Sequence, residues 1–509
     1  MGILRKRLDL LIDAGLCAVA VVSRLPFVSP LLYDHDSFLF ARAVAHYDLA
    51  GGIPHPPGYL FYVYLAKLLE HFTRDANHAL IWVGILAGAL AAVCIHRLGR
   101  RLFGRGVGVI AALLYLLGPM IWFYHEIALT YALEGALSVL VALVAWRAYC
   151  GSRRAEFLLP VLLGLVGGVR PWLIPQLLPL QLFVTWRRGV PRLLFGLLLL
   201  AVASMAWLIP NALSAGGMGA YIAINRNYGG GLFAEGHFGQ LARTVRAAGM
   251  MALWHYHALG WALLGLLWLA LRRWIVRGAA LTLPEGSPTT FLLWWIMPTF
   301  LLRLFVHLTM PGYLLIFLPG VCLLAALGIY LLAADCSGLL QRVLPADSGL
   351  RAFSRREVVL GIFLIAVLAH YLTTFIMGEA GFTWPIIQAK NRIVRERLDF
   401  VHHFPPHDTV VFASDMANAA HYYLADYRVI NVFWTPGEQA FGPDDSHLPG
   451  ERARFVVLFD SQLLPADRTP QYLHEAKLPM GLPIFYFQLA PGQQILRSKG
   501  AYRLVPAKR

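Results

Sequence analysis

Long apolar runs, separated by short clusters of arginine, constrain this chain more than any other feature. Residues 157–169, 193–208 and 314–332 contain no Asp, Glu, Lys or Arg. A helix of about 20 apolar residues crosses a bilayer, and the shorter runs reach that length with their flanks. In hydrocarbon each backbone group must find its partner within the protein, which favours helices for runs of this kind. Composition agrees: 58% of the 509 residues are hydrophobic and 14% charged, where a soluble domain carries about a quarter charged residues. A net charge of +15 could suggest nucleic acid, but the basic residues fall in the breaks between apolar runs. That placement is how positive residues orient a membrane protein, so no nucleic-acid partner is expected.

About eleven transmembrane helices are predicted, near 8–28, 77–97, 106–122, 128–149, 157–171, 172–186, 193–211, 249–271, 289–306, 312–333 and 358–377. The basic start at Arg5, Lys6 and Arg7 precedes a stretch interrupted by Asp9 and Asp13, with no small-residue cleavage pattern before Leu31. It reads as a retained first span rather than a signal peptide. With the N-terminus cytoplasmic, the inward turns hold Arg97, Arg100, Arg101 and Arg105, then Arg153 and Arg154, then Arg187, Arg188 and Arg192. Arg272, Arg273 and Arg277, and finally Arg342, Arg351, Arg355 and Arg356, complete the series. The opposite connections are poorer in arginine for their length, as the positive-inside rule requires. A multi-pass protein of the cell inner (plasma) membrane follows, in contact with membrane lipids. The fifth and sixth spans are short and meet at Arg170-Pro171, where a re-entrant pair is the alternative.

Residues 1–377 form the expected membrane domain, with a first outer loop at 29–76 and a long outer loop at 212–248. In the first loop, 37–47 and 59–69 have helical spacing but are too short to span, as expected for helices lying on the membrane face. Residues 378–509 return to soluble polarity, with strand-like runs at 409–413, 428–433, 455–459 and 484–488 and a helix-like run at 417–424. They read as a small extracytoplasmic α/β domain. None of the five cysteines falls in an outer loop or in this tail, and no Cys-x-x-Cys spacing occurs, so neither disulfide nor cysteine metal site is expected. The outer histidines show no ligand spacing beyond His255-x-His257, a weak signal.

Ionisable residues kept at the membrane edge tend to line cavities. On the outer side these are Asp34 and Asp36 after the first span, His125 and Glu126 between the third and fourth, Arg170 after the fifth, and Arg303 and His307 at the end of the ninth. A partly desolvated carboxylate there can serve as a general base. Arginine can hold a phosphate by a bidentate fork. Several have a plain structural alternative: Asp36 as a helix cap, Asp34 as a solvated loop residue, Arg170 as a headgroup anchor, and Arg303 and His307 as structural or lipid-facing residues.

The segment DHDSFLFARAV…YDLAGGIPHPPGYLFYVYLAKLL, from Asp34 onward, resembles the first outer loop of GT-C membrane glycosyltransferases, in the branch related to protein O-mannosyltransferases. WFYHEIALTYALEGAL resembles that branch's second outer loop, and MPGYLLIFLPGVCLLAALGI a later span shared with the aminoarabinose transferases. The resemblance is good over roughly the first 150 residues and loose beyond. It implies a GT-C-like fold and an inverting transferase that moves a hexosyl or pentosyl group from a polyprenyl-phosphate-linked sugar donor to a hydroxyl acceptor. It maps the first-loop acid onto Asp36, with Asp34 if the two act together, and the second-loop acid onto Glu126. Phe38-Leu39 stand where the family usually has Gly-Glu, and His125-Glu126-Ile127-Ala128 where it has Glu-Val-Tyr, which leaves the acceptor open. Arg170 is the first choice for the donor phosphate and Arg303 the second, with His55, His125 and His307 as further substrate-binding candidates. A divalent cation (Mg or Mn) bridging acid and phosphate is compatible but not demanded. The rival class is a transporter or flippase of lipid-linked sugars, which would keep charges at the midplane between repeats; no repeat is found.

Overall fold

The computed structural model describes residues 2–234, 240–277, 287–306, 308, 310–345, 349–431, 433–435, 438–440, 447–449, 453–460, 463, 473–490, 493–498 and 501–506. It forms two compact units: 1–28 with 43–386, and 29–42 with 387–509. The sequence places the boundary near 377 and gives the whole first loop to the membrane domain. Here residues 29–42 belong instead with the tail.

The first unit is helical. Its elements are α1 (Gly2–Val22), α2 (His35–Ala45, which starts in the other unit), α3 (Leu60–Thr73), α4 (Ala76–Leu102), α5 (Arg105–Leu117) and α6 (Pro119–Phe123). Then come α7 (Tyr131–Tyr149), α8 (Arg153–Val166), α9 (Leu173–Trp186), α10 (Val190–Ser214), α11 (Met218–Ala234) and α12 (Leu241–Leu259). α13 (Leu263–Arg277), α14 (Pro288–Phe305), α15 (Leu318–Val343) and α16 (Arg356–Met377) complete it. Among the described residues, 8 helical stretches are long and apolar enough to cross a membrane. The other expected spans correspond to the shorter helices α5, α8 and α9. Gly118-Pro119 ends α5, and Gly167, Gly168 and Pro171 separate α8 from α9, because proline cannot continue a helix from the residue before it. The expected loop at 212–248 is largely helical, holding α11 and the start of α12.

α4 and α7 lie at the centre, 72% and 83% buried along their apolar windows, whereas α10 is only 11% buried and presents its apolar surface outward. Helices in lipid gain from close approach, which small residues allow. α13 crosses α15 so tightly that a Cβ on Gly328 would lie 1.8 Å from the Gly265 carbonyl oxygen. The two acids that interrupt the first span tie α1 to its neighbours. Asp13 accepts from His96 Nδ1 at 2.8 Å and Arg97 Nε at 2.9 Å, and Asp9 from Arg105 Nε at 3.0 Å and from Arg100. Arg272 Nε donates to Asp335 at 2.7 Å, so several of the turn arginines also have acid partners.

The second unit is built on a five-stranded sheet, in the order Arg428–Asn431, Thr409–Ala413, Phe455–Leu458, Pro483–Gln488, Leu473–Lys477. The first three strands are parallel to one another, and the fourth is antiparallel to both of its neighbours. Side chains alternate across the pleat: Val410 and Phe412 pack on one face with Val456 and Leu458, and Val411 and Ala413 on the other with Val457. That second face is covered by Val394, Leu398 and Val401 of α17 (Trp384–Val401) and Ala420 of α18 (Ala417–Tyr423). Strand Thr409–Ala413 is buried throughout, as a central parallel strand should be.

Candidate functional site

The His-Pro-Pro-Gly-Tyr turn, 55–59, leads into α3 and starts the site. Its carbonyls are held from three directions. Tyr47 Oη donates to Gly58 O at 2.8 Å, Tyr221 Oη to Pro57 O at 3.0 Å, and Asn211 Nδ2 to Pro57 O at 3.3 Å. Tyr59 takes a left-handed conformation, φ 52°, uncommon for a bulky residue and sustained only where the surroundings fix it. Its hydroxyl meets His55 Nε2 at 3.0 Å, and its ring faces the Arg170 guanidinium at 5.2 Å.

Arg170 is buried in the turn between α8 and α9, and Tyr131 and Tyr313 also face its guanidinium, each at 5.2 Å. Its Nε lies 3.1 Å from Glu134 Oε1, its Nη2 donates to Thr130 Oγ1 at 3.2 Å, and Thr130 Oγ1 donates to Glu134 Oε1 at 2.6 Å. The Arg170 charge is therefore balanced inside the protein. Arg303 of α14 stacks on the other part of this cluster, its guanidinium 4.0 Å from the Tyr313 ring. Its Nη2 donates to Gln176 Oε1 at 3.2 Å, a neutral partner, and its buried Nε has none among the described residues. Within this set there are two guanidinium groups and one carboxylate. A buried charge is costly unless paired. Glycine makes the packing possible: a Cβ on Gly312 would come within 2.3 Å of the Tyr131 ring.

Glu126 lies elsewhere in this unit, in the connection between α6 and α7 and outside the spanning helices. It is fully buried and accepts from Trp122 Nε1 at 2.8 Å, with Trp122 stacked on Phe375 at 4.4 Å. Burial pushes its carboxyl up to about 8, against smaller opposing effects of the Arg24 charge and the Trp122 hydrogen bond. The sequence expects Glu126 among the catalytic residues; its burial against Trp122 favours the protonated form of its carboxyl near neutral pH. His125 is also fully buried, with Nδ1 2.5 Å from Ile121 O, and burial and the Arg24 charge hold its imidazole down at about 3. A neutral histidine supplies no cation for a phosphate. His307 lies outside the described residues.

Asp34 and Asp36 stand in the second unit, where the structure moves the helix cap by two residues. α2 begins at His35, with Asp36 in its first turn. Asp34 Oδ1 accepts from the Asp36 N–H at 3.2 Å, so Asp34 fills the capping role that the sequence suggests for Asp36. Burial, and next the Asp36 charge, push the Asp34 carboxyl above its ordinary value, against the Asp36 amide and Lys390. Within the first unit the structure thus brings His55, Arg170 and Arg303 into one cluster and places Glu126 and His125 outside it, whereas Asp34 and Asp36 belong to the other unit. Glu134, Thr130, Tyr59, Tyr131, Gln176 and Tyr313 complete the cluster and were not singled out from the sequence. A signal for Glu134 was present: an acid within an apolar span, four residues after a threonine.

A metal ion needs converging ligands. Among the described residues no group of three His, Cys, Asp or Glu side chains is placed to hold one, and Glu134 is engaged by Arg170 and Thr130.

The fold is similar to that of membrane glycosyltransferases of known structure. Residues 43–189 match the model of the N-terminal domain of the protein O-mannosyl-transferase TMEM260. Among solved structures the chain is similar to ArnT from Cupriavidus metallidurans bound to undecaprenyl phosphate, with TM-score 0.57, 14% identity, and 86% of each chain covered. The apo state of the same enzyme gives TM-score 0.56 at 14% identity, covering 95% of this chain and 98% of that one. The oligosaccharyltransferase of Archaeoglobus fulgidus in the apo form gives 0.50 at 14% identity, covering 88% and 69%. At such identity the likeness is one of fold. No curated protein sequence matches the chain.

Proposed function

We propose that this protein transfers a sugar from a polyprenyl-phosphate-linked donor to a hydroxyl acceptor at the outer face of the membrane, with inversion. The observation that carries the reading is Arg303: a buried guanidinium beside a balanced Arg170–Glu134 pair, with only a neutral hydrogen-bond partner among the described residues. An anion completes that arrangement, and the phosphate of a lipid carrier is an anion delivered at membrane depth. A matching precedent is the undecaprenyl phosphate bound to ArnT in the similar structure. The sequence ranks Arg170 ahead of Arg303 for this role; the charge balance reverses the order. Arg170, oriented by Glu134 and Thr130, shapes the pocket wall, and Arg303 meets the charge that develops on the leaving phosphate.

In the reaction the acceptor oxygen attacks the anomeric carbon, its proton passes to the Asp36 carboxylate, and the bond from that carbon to the phosphate oxygen breaks. Polyprenyl phosphate leaves with the bonding electron pair as a stable anion, so no acid is required on that side. Asp34 caps the helix that carries Asp36, and His55 orients the Tyr59 hydroxyl. The arginine-rich turns support an N-terminus in the cytoplasm and a tail outside.

Binding of polyprenyl phosphate itself, without a sugar, tests the cation assignment. Arg303→Ala should weaken it at least tenfold, the scale of a lost hydrogen bond to a charged group, and Arg303→Lys less, since charge remains but the fork is lost. Unchanged affinity in both variants would remove Arg303 from the donor site.

A further inference from the structure

The sequence treats the tail as an appended soluble domain, yet residues 29–42 form one compact unit with it. The attachment is specific. Asn391 Nδ2 donates to Ser29 Oγ at 2.9 Å, Tyr423 Oη accepts from the Leu32 N–H at 2.9 Å, and Asn418 Nδ2 lies 3.0 Å from His35 Nδ1. Leu31 joins the hydrophobic cluster of α17 and the sheet, and Phe38 packs edge-on against Tyr423 at 5.9 Å. The Lys390 ammonium sits 4.1 Å from the Tyr33 ring and counters the Asp34 charge. Ser29 and Ser37 are fully buried and Asn391 nearly so, so these hydrogen bonds fix a backbone rather than decorate a surface.

We propose that the C-terminal domain is a positioning device for the reaction, in which Asn391, Tyr423 and Lys390 set the place and charge environment of Asp34 and hence of the first turn of α2 that presents Asp36. The inference rests on the proposed transferase reading. It follows from the contacts: the segment that carries the two acids finds partners in Lys390, Asn391, Asn418 and Tyr423. It assigns the tail a direct part in turnover and none in holding the donor phosphate, whose cations belong to the other unit. Lys390 is solvent-exposed, so its electrostatic effect on Asp34 is screened and modest; the hydrogen bonds of Asn391 and Tyr423 carry the larger share.

The test uses the full-length protein in three assays. Asn391→Ala should lower kcat about tenfold or more, while polyprenyl phosphate affinity stays within twofold of wild type, and Asn391→Gln should recover part of the loss. Lys390→Gln should move the acidic limb of the pH–rate profile upward by a few tenths of a pH unit, because removing a nearby positive charge raises the carboxyl pKa, and Lys390→Arg should restore it. Amide exchange over 29–42 should quicken in Asn391→Ala with no change in α4 or α7. Equal loss of donor affinity and kcat, or unchanged exchange over 29–42, would overturn the positioning role. If wild type itself moves no sugar while exchange responds as expected, the transferase reading fails and the attachment stands as architecture alone.

Discussion

Replacing Glu126 by glutamine separates a buried neutral carboxyl from a reacting one. The folded protein holds the Glu126 proton up to about pH 8, from an ordinary value of 4.5. Between those limits the native chain binds more protons than the unfolded chain, so stability falls as pH rises. The contribution is fully present below the unfolded value and is lost as pH passes through about 8. Each pH unit in that window is worth about 1.4 kcal/mol, so moving from about pH 6 to about pH 7.5 removes about 2 kcal/mol. In a chain of this size that is a fall of about 2 degrees in Tm. The substituted amide keeps an oxygen that can accept from Trp122 Nε1, as Glu126 does, but has no proton to lose. Thermal unfolding in detergent across this range should therefore show a flatter pH dependence for Glu126→Gln than for wild type, and a higher Tm at the alkaline end. Sugar transfer should stay within a few-fold of wild type. Parallel Tm curves would mean that Glu126 is ionised against Arg24, and a collapse of transfer with intact folding would return it to the reacting groups.

Other changes bear on the same account. Asp36→Asn should fold normally and lose about 100-fold or more in transfer, the scale of general-base removal, whereas near-normal turnover would reduce Asp36 to a structural residue. Gly312→Ala drives a methyl to within 2.3 Å of the Tyr131 ring, so donor affinity should fall with the α4–α7 core intact; unchanged affinity would show that the ring can move aside. In a Cys150→Ser background, Asn227→Cys should react with an impermeant thiol reagent from outside intact cells and Val190→Cys should not. Reversed labelling would invert the topology.

The spans, the tail strands and the first-loop helices were legible because each rests on local pattern. Charge-free runs predict the helices, and the β-rich run at 409–413 is found as the strand Thr409–Ala413. What stayed hidden depends on contacts distant in sequence. Arg170 reads as an anchor or a phosphate ligand, and only its approach to Glu134 across two helices shows its charge to be balanced. Asp9 and Asp13 look like flaws in a span until α4 and α5 supply their partners. Asp34 and Asp36 differ by two residues in which one caps α2, finer than a sequence pattern locates a helix end. The union of 29–42 with the tail leaves no local trace, because Ser29 and Asn391 meet only after folding.

The central claim is that lipid-linked sugar is chemically consumed, and one measurement addresses it directly. The purified protein in detergent, where no sidedness remains, is incubated with a panel of polyprenyl-phosphate sugars and hydroxyl acceptors, and free polyprenyl phosphate is measured. Wild type should release it in step with acceptor glycosylation, Asp36→Asn should not, and Arg303→Ala should do so only at raised donor concentration. If every donor is recovered intact while liposomes show lipid translocation that Arg303→Ala abolishes, the protein moves these lipids without cleaving them, and the transferase account is wrong.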